Sequence, residues 1–87
     1  MKNLVVSRMK IRDINFNNVR SHVYIYENSE DALYLIAIPE LNWSLEVDIT
    51  LNEDDLKEEI VIHLFTLIDE SSANTIAEDI IERIFEN

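Results

Sequence analysis

The stretch from Trp43 to Thr50 constrains the fold more than any other part of the chain. Its residues, W-S-L-E-V-D-I-T, alternate between apolar and polar side chains without interruption. A period of two residues is typical of a β-strand, whose successive side chains point to opposite faces. The stretch therefore predicts a strand with one apolar face, and the other elements can be placed by asking which of them covers that face.

The N-terminal segment, residues 4–12, predicts an edge strand whose basic residues, Lys10 and Arg12 among them, point outward. Charged side chains on an edge strand discourage pairing with other sheets. The alternative is that the ordered domain begins at Met9 and that residues 1–8 are loosely ordered.

Two further strands are predicted before Pro39. Asn17 and Asn18 suit a tight turn because asparagine tolerates left-handed backbone. Residues 19–26 follow, with the aromatic and β-branched side chains that favour a pleated sheet. Residues 32–38 are apolar at every position, which indicates a central strand or a strand with one face against a partner.

The register of these strands follows from the lengths of the loops that join them. Four-residue loops at 28–31 and 39–42 place the following residues opposite each other: Val23 and Ile36, Ile25 and Tyr34, Tyr34 and Val47, Ile36 and Leu45, Ile38 and Trp43. One face of the sheet then carries Val23, Ile25, Tyr34, Ile36, Ile38, Trp43, Leu45, Val47 and Ile49. The reverse face carries His22, Tyr24, Tyr26, Leu33, Leu35 and Ala37, beside Ser44, Glu46 and Asp48. A loop one residue shorter or longer would exchange the two sets.

Two amphipathic helices are predicted after the strands. Asn52 is a favoured N-cap for the first helix, and the acids that follow it complement the helix dipole. The apolar residues of this helix cover a broad arc: Leu56, Ile60, Val61, Leu64, Phe65, Leu67 and Ile68. Ser72 or Thr75 is the expected cap of the second helix, whose apolar stripe is Ile76, Ala77, Ile80, Ile81, Ile84 and Phe85.

Strands followed by helices indicate an α+β protein, with residues 1–87 as one domain. We expect an antiparallel three- or four-stranded meander followed by two helices packed on one face of the sheet. Trp43 is expected on the covered face as a core residue, the alternative being a platform for a ligand.

The chain contains no glycine, where average usage predicts about six. Phosphate-binding loops, dinucleotide fingerprints and nucleophile elbows need glycine for close backbone approach or strained turns, so these sites are excluded. Cysteine is also absent, which excludes disulfides and thiolate metal sites. No apolar run is long enough for a signal peptide or a transmembrane helix, so a cytoplasmic protein without membrane contact is expected.

The formal net charge of −11 is unevenly distributed. Five of the seven Lys and Arg residues lie in residues 1–20, whereas seventeen of the eighteen Asp and Glu residues lie in residues 21–87. Because phosphate backbones are bound through cations, direct nucleic-acid binding by this acidic part is disfavoured. The acidity is explained by solubility, by a basic protein partner, or by mimicry of a nucleic-acid backbone.

His63 is the strongest candidate for chemistry in the sequence. Glu59 and Asp55 precede it at intervals of four residues, on the same helical face. Carboxylate and imidazole groups at that spacing can share a metal ion. One helix does not close a metal site, however, and no second histidine lies at a known motif spacing. The main interpretation is therefore a surface histidine beside acids.

Other candidate chemistry has less support. Nothing in the sequence places His22 near Ser71 and Ser72, as a catalytic triad requires. The acids within residues 53–59 do not follow the glycine-containing calcium-loop pattern, and helix capping explains those at the start of the helix. We therefore expect no enzymatic activity, no metal and no cofactor.

Four apolar residues stand out as a candidate interaction surface: Tyr24, Tyr26, Leu33 and Leu35. If both helices cover the opposite face of the sheet, these side chains are uncovered. Adjacent aromatic and aliphatic side chains on an exposed sheet indicate an interface. The alternatives are that the N-terminal segment folds across them or that the register is slipped.

The middle of the chain resembles the small bacterial YueH-like proteins. The resemblance rests on Tyr24-Ile25-Tyr26-Glu27-Asn28, on Leu35-Ile36-Ala37-Ile38-Pro39-Glu40 and on Trp43-Ser44. It extends over most of residues 9–87. It implies a cytoplasmic bacterial protein of an uncharacterised family, and it supplies no catalytic residues.

These observations lead to three functional hypotheses. The first is a small, acidic, non-enzymatic protein-interaction module that binds a protein partner or self-associates through the exposed sheet face. The second is an acidic decoy that occupies the nucleic-acid site of a basic protein. The third is a small metal-binding protein or enzyme that uses His63 and Glu59.

Overall fold

The computed structural model describes residues 8–16 and 18–86, which form a four-stranded sheet and two helices. The strands are β1 (Arg8–Phe16), β2 (Val19–Asn28), β3 (Leu33–Ile38) and β4 (Trp43–Asp48), with a 3₁₀ turn at Pro39–Leu41. Helices α1 (Glu53–Leu64) and α2 (Glu70–Phe85) follow. The sheet order is β1-β2-β3-β4 and each neighbouring pair is antiparallel. The α+β meander followed by two helices is therefore confirmed.

The described first strand, Arg8–Phe16, ends later than the predicted segment 4–12, of which residues 4–7 lie outside the described part of the chain. The turn that follows places Asn18 in left-handed backbone with φ 64°. Of the segment predicted as loosely ordered, residues 1–8, only Arg8 lies within the described residues.

Lys10 and Arg12 of β1 lie on the helix-covered side of the sheet, so the prediction that they point outward is wrong. Lys10 Nζ donates to three main-chain oxygens at the end of α2, those of Arg83 at 2.8 Å, Ile84 at 3.1 Å and Glu86 at 3.0 Å. Arg12 Nε donates to the Glu86 carboxylate at 2.9 Å. The last carbonyl groups of a helix lack partners within it and lie at the negative end of its dipole, which explains why these cations turn toward them.

The predicted register of β3 and β4 is confirmed, with the pairs Ile38–Trp43, Ile36–Leu45 and Tyr34–Val47. The predicted register of β2 and β3 is wrong by two residues: Ile25 pairs with Ile36. Asn28 pairs with Leu33 instead of belonging to the loop, and Ala32 adopts left-handed backbone at φ 57°. Because the shift is an even number, each side chain stays on its predicted face.

The core lies between one face of the sheet and both helices. It contains Ile14, Val23, Ile25, Ile36, Ile38 and Val47 from the sheet, and Leu56, Ile60, Leu64, Ala73, Ile76, Ala77, Ile80, Ile81 and Ile84 from the helices. Trp43 is half-buried and packs against this core. Helix α2 contacts β1, and α1 contacts β4.

Helix α1 has the predicted cap but is shorter than predicted. The Asn52 side chain accepts a hydrogen bond from the Asp55 amide at 2.8 Å. The helix ends at Leu64, and the following turn leaves Phe65 and Leu67 56 % and 53 % exposed, so the prediction that both belong to the covered apolar arc is wrong.

Helix α2 begins earlier than either predicted cap allows. Its N-cap is Asp69, whose carboxylate accepts from the Ser72 amide at 3.1 Å and from the Ser72 hydroxyl at 2.7 Å. Ser72 and Thr75 lie inside the helix, so neither is its cap. The Ser72 hydroxyl and amide hydrogen bonds hold the pKa of Asp69 below its ordinary value.

Candidate interaction face

Within residues 8–16 and 18–86, no helix covers one face of the sheet, which we call the open face. Val23, Ile25 and Ile36 belong to the core, so their neighbours along each strand point to the opposite side. The apolar members of the open face are Met9, Ile11, Tyr24, Tyr26, Leu33, Leu35 and Ala37. All four predicted interaction residues lie on it.

The open face is arranged in two adjacent cross-strand rows. Met9, Tyr26 and Leu35 pair in one row, which ends at Glu46 of β4. Ile11, Tyr24 and Ala37 pair in the next, which ends at Ser44. These rows place aromatic and aliphatic side chains of three strands in one continuous patch.

The exposure of the patch is highest at β1 and decreases toward the middle of the sheet. Met9 and Ile11 are 55 % and 50 % exposed and Leu35 is 37 % exposed, whereas Tyr24 and Tyr26 are half-buried. Sequence reasoning did not assign Met9 and Ile11 to this face. Their shared parity was visible, but their alignment with β2 depends on the turn at Asn18 and on the extension of β1 to Phe16.

The β4 side of the open face is polar and acidic. Glu46 and Asp48 are exposed there, beside Ser44. The Asp48 carboxylate accepts from the Thr50 amide at 2.8 Å and from its hydroxyl at 2.7 Å, and these bonds lower the pKa of Asp48. The apolar patch is therefore bounded by carboxylates along one side.

A group of four charged or titratable side chains, which we call the His22 cluster, bounds one end of the patch. Glu40, in the turn after β3, accepts from the His22 amide at 3.0 Å and lies 2.9 Å from His22 Nδ1. On the other side of the ring, Asp13 Oδ1 lies 3.5 Å from His22 Nε2, and Arg20 Nε lies 4.0 Å from Asp13 Oδ2. The ring and amide hydrogen bonds of His22 lower the pKa of Glu40 to about 2.

The His63 side chain is engaged mainly with its own helix. Its Nδ1 atom lies 2.8 Å from the main-chain oxygen of Glu59, whereas the Glu59 carboxylate is 4.0 Å away. A carbonyl oxygen only accepts, so Nδ1 is the donor in this contact. Within residues 8–16 and 18–86, no group of three or more His, Asp or Glu side chains is arranged to hold a metal ion.

The acidic side chains are concentrated on the helical layer. Glu53, Asp54 and Glu58 of α1 are exposed and have no cationic partner among the described residues. Between the helices, Lys57 Nζ pairs with Glu78 at 3.0 Å. The two sides of the protein therefore differ in chemistry: the helical side is acidic, and the open face carries an apolar patch with charged residues at its margins.

Among the described residues, no helix is long and apolar enough to cross a membrane.

Comparison with known proteins places the chain in a family. The model of the YueH-like protein family matches residues 10–86. The chain is also 31 % identical over 81 residues to the uncharacterised protein YueH of Bacillus subtilis (strain 168), covering 90 % of this chain and 99 % of that protein. No solved structure matches the chain. The protein belongs to the YueH-like family.

Proposed function

We propose that the protein is a non-enzymatic interaction module that self-associates through the open face. The observation that carries the proposal is the apolar patch on a sheet face that neither α1 nor α2 covers. An antiparallel sheet with one face in water ordinarily alternates apolar residues inward with polar residues outward. Here seven apolar residues point outward, which is the composition of an interface core.

The distribution of charge favours a second copy of the chain as the occupant. The acids of α1 and α2 lie on the side away from the open face, and the patch itself contains no charged residue. Two copies that pack their open faces together turn both acidic helical layers outward. Repulsion between the helical acids of the two copies is then weak, because screening weakens interactions beyond about 8 Å at physiological salt.

The size of the open face also suits a dimer. Four strands about 4.8 Å apart, with nine, ten, six and six residues at about 3.3 Å per residue, give a projected face of about 500 Å². Standard interfaces bury about 800 Å² of accessible surface on each partner, and accessible area exceeds projected area where side chains protrude. Two such faces packed together bury about 1,000 Å² in total, which is the lower limit for a specific interface.

Sedimentation equilibrium at micromolar concentration tests this function. We expect the wild type to be a dimer and Tyr26→Asp, which places a charge in the patch, to be a monomer. Phe65→Asp is the matched control, because Phe65 is an exposed apolar residue after α1 and lies outside the open face. It should remain a dimer. A monomeric wild type, or equal weakening by both substitutions, would contradict the proposal.

A second candidate function is the acidic decoy, which the unpaired acids of α1 favour. Glu53, Asp54 and Glu58 offer a carboxylate surface to a basic, nucleic-acid-binding protein. Such binding weakens steeply with added salt, because it rests on attraction between opposite charges. Displacement of DNA from a basic DNA-binding protein, measured at low and at high salt, tests it. Displacement that does not respond to salt would exclude the decoy.

A further inference from the structure

The geometry of the His22 cluster fits a charged imidazole. Both ring nitrogens face carboxylates, with Nδ1 2.9 Å from Glu40 and Nε2 3.5 Å from Asp13. A neutral imidazole has one N–H group, so it would direct a lone pair at one of these carboxylates. An imidazolium ion donates to Glu40 through Nδ1 and forms an ion pair with Asp13 through Nε2.

The cluster adjoins the apolar patch. Asp13 and His22 pair in the cross-strand row next to Ile11 and Tyr24, and rows on one face are about 7 Å apart. A partner sheet that covers the patch therefore lies over or beside the cluster. A change of charge in the cluster acts directly on the interface.

His22 is faced by charged or titratable groups from each element that packs against it. Asp13 comes from β1, Arg20 and Tyr24 share its face of β2, and Glu40 comes from the turn after β3. With His22 charged, the two cations and two carboxylates balance. With His22 neutral, the cluster carries one net negative charge beside an interface between two acidic chains.

We propose that His22 makes self-association through the open face dependent on pH, with the protonated side chain favouring the dimer. This inference rests on the proposed function, since it concerns regulation of the same interface. Histidine is the side-chain type whose charge changes in the range from about pH 5 to about pH 8. Glu40, whose pKa is lowered to about 2, stays ionised throughout that range.

The test compares dimer dissociation constants at about pH 5.5 and about pH 8.5. In the wild type we expect the dissociation constant to be about two- to fivefold larger at the higher pH. A change of that size is expected when a unit charge lies about 10 Å from a like charge across a partly desolvated interface. His22→Gln should remove the difference. His22→Lys, which keeps the positive charge, should hold the low-pH affinity at both values.

His63→Gln is the matched control, because it removes the other histidine from the exposed side of α1 and changes the net charge equally. It should retain the dependence on pH. A wild-type dimer with the same affinity at both pH values would overturn this inference alone, as would His22→Gln with the wild-type dependence. A wild type that is monomeric at both pH values would instead overturn the proposed function.

Discussion

Lys10 Nζ lies 2.8 Å from the main-chain oxygen of Arg83, a residue 73 positions later in the chain. The bond joins the edge strand of the sheet to the end of the second helix. Two more main-chain oxygens of the same helix end accept from the same nitrogen. Lys10 thus serves as a C-terminal cap supplied from a different element.

Replacing this cap should destabilise the fold. Lys10→Met keeps most of the aliphatic stem but leaves three partly buried carbonyl groups without their donor, so we expect a loss of about 2 kcal/mol in the free energy of unfolding. Urea denaturation at a fixed protein concentration measures the loss. Lys57→Met is the control, because it removes an exposed pair with Glu78, and it should cost about 0.5 kcal/mol or less. Equal losses would show that Lys10 is not a cap of α2.

Ala32, in the turn between β2 and β3, has a strained backbone conformation that glycine would relieve. Ala32 adopts φ 57°, a region in which its Cβ atom crowds the backbone, while its carbonyl accepts from the Ile49 amide at 3.0 Å. Ala32→Gly should therefore stabilise the protein by about 0.5–1 kcal/mol. Ala37→Gly, inside β3, should instead destabilise it by about the same amount. Thermal unfolding of both variants measures whether the stability changes have opposite signs. Destabilisation by Ala32→Gly would contradict the prediction that Ala32 is strained.

The contact between Glu40 and His22 should weaken in acid. The pKa of Glu40 is lowered from 4.5 to about 2, so its stabilising effect is fully present above about pH 4.5 and is lost as the pH falls toward 2. We expect the melting temperature of the wild type to differ from that of Glu40→Gln at neutral pH. The two melting temperatures should become equal as the pH approaches about 2. The carboxyl carbon shift of Glu40, followed by NMR, should titrate well below that of an exposed glutamate. A midpoint near 4.5 would contradict the hydrogen-bonded arrangement.

Added salt should strengthen self-association. Each chain carries a net charge of −11, so two copies repel at low ionic strength, whereas the proposed apolar contact at the open face is not weakened by screening. Sedimentation at low and at high salt should show a smaller dissociation constant at high salt. Tyr26→Asp should remain monomeric in both. A dimer that dissociates as salt is added would mean that opposite charges, not apolar side chains, hold it together.

The accuracy of the sequence-based predictions depends on how local each signal is. The alternation from Trp43 and the stop at Pro39 set the β3–β4 register correctly, because loop length and parity lie within one hairpin. The β2–β3 register was wrong because alanine does not signal the left-handed conformation that Ala32 adopts. The cap of α2 was wrong because the choice among Asp69, Ser72 and Thr75 depends on where α1 ends.

The difference between local and long-range signals also explains what could be predicted about the candidate site. Parity alone placed Tyr24 and Leu35 on the uncovered face. The contact of His22 with Glu40 joins residues 18 positions apart, so the local sequence around neither residue predicts it. It required the 3₁₀ turn at Pro39–Leu41, which brings the glutamate back beside β2.

The bond from Lys10 to the end of α2 has a consequence for biosynthesis. The lysine leaves the ribosome long before its acceptor oxygens have been made, because 73 positions separate it from Arg83. Until α2 has emerged from the ribosome, β1 lacks the hydrogen bonds that join it to the helical layer. We therefore expect the nascent chain to stay sensitive to proteases until synthesis passes α2, and then to become resistant in a single step.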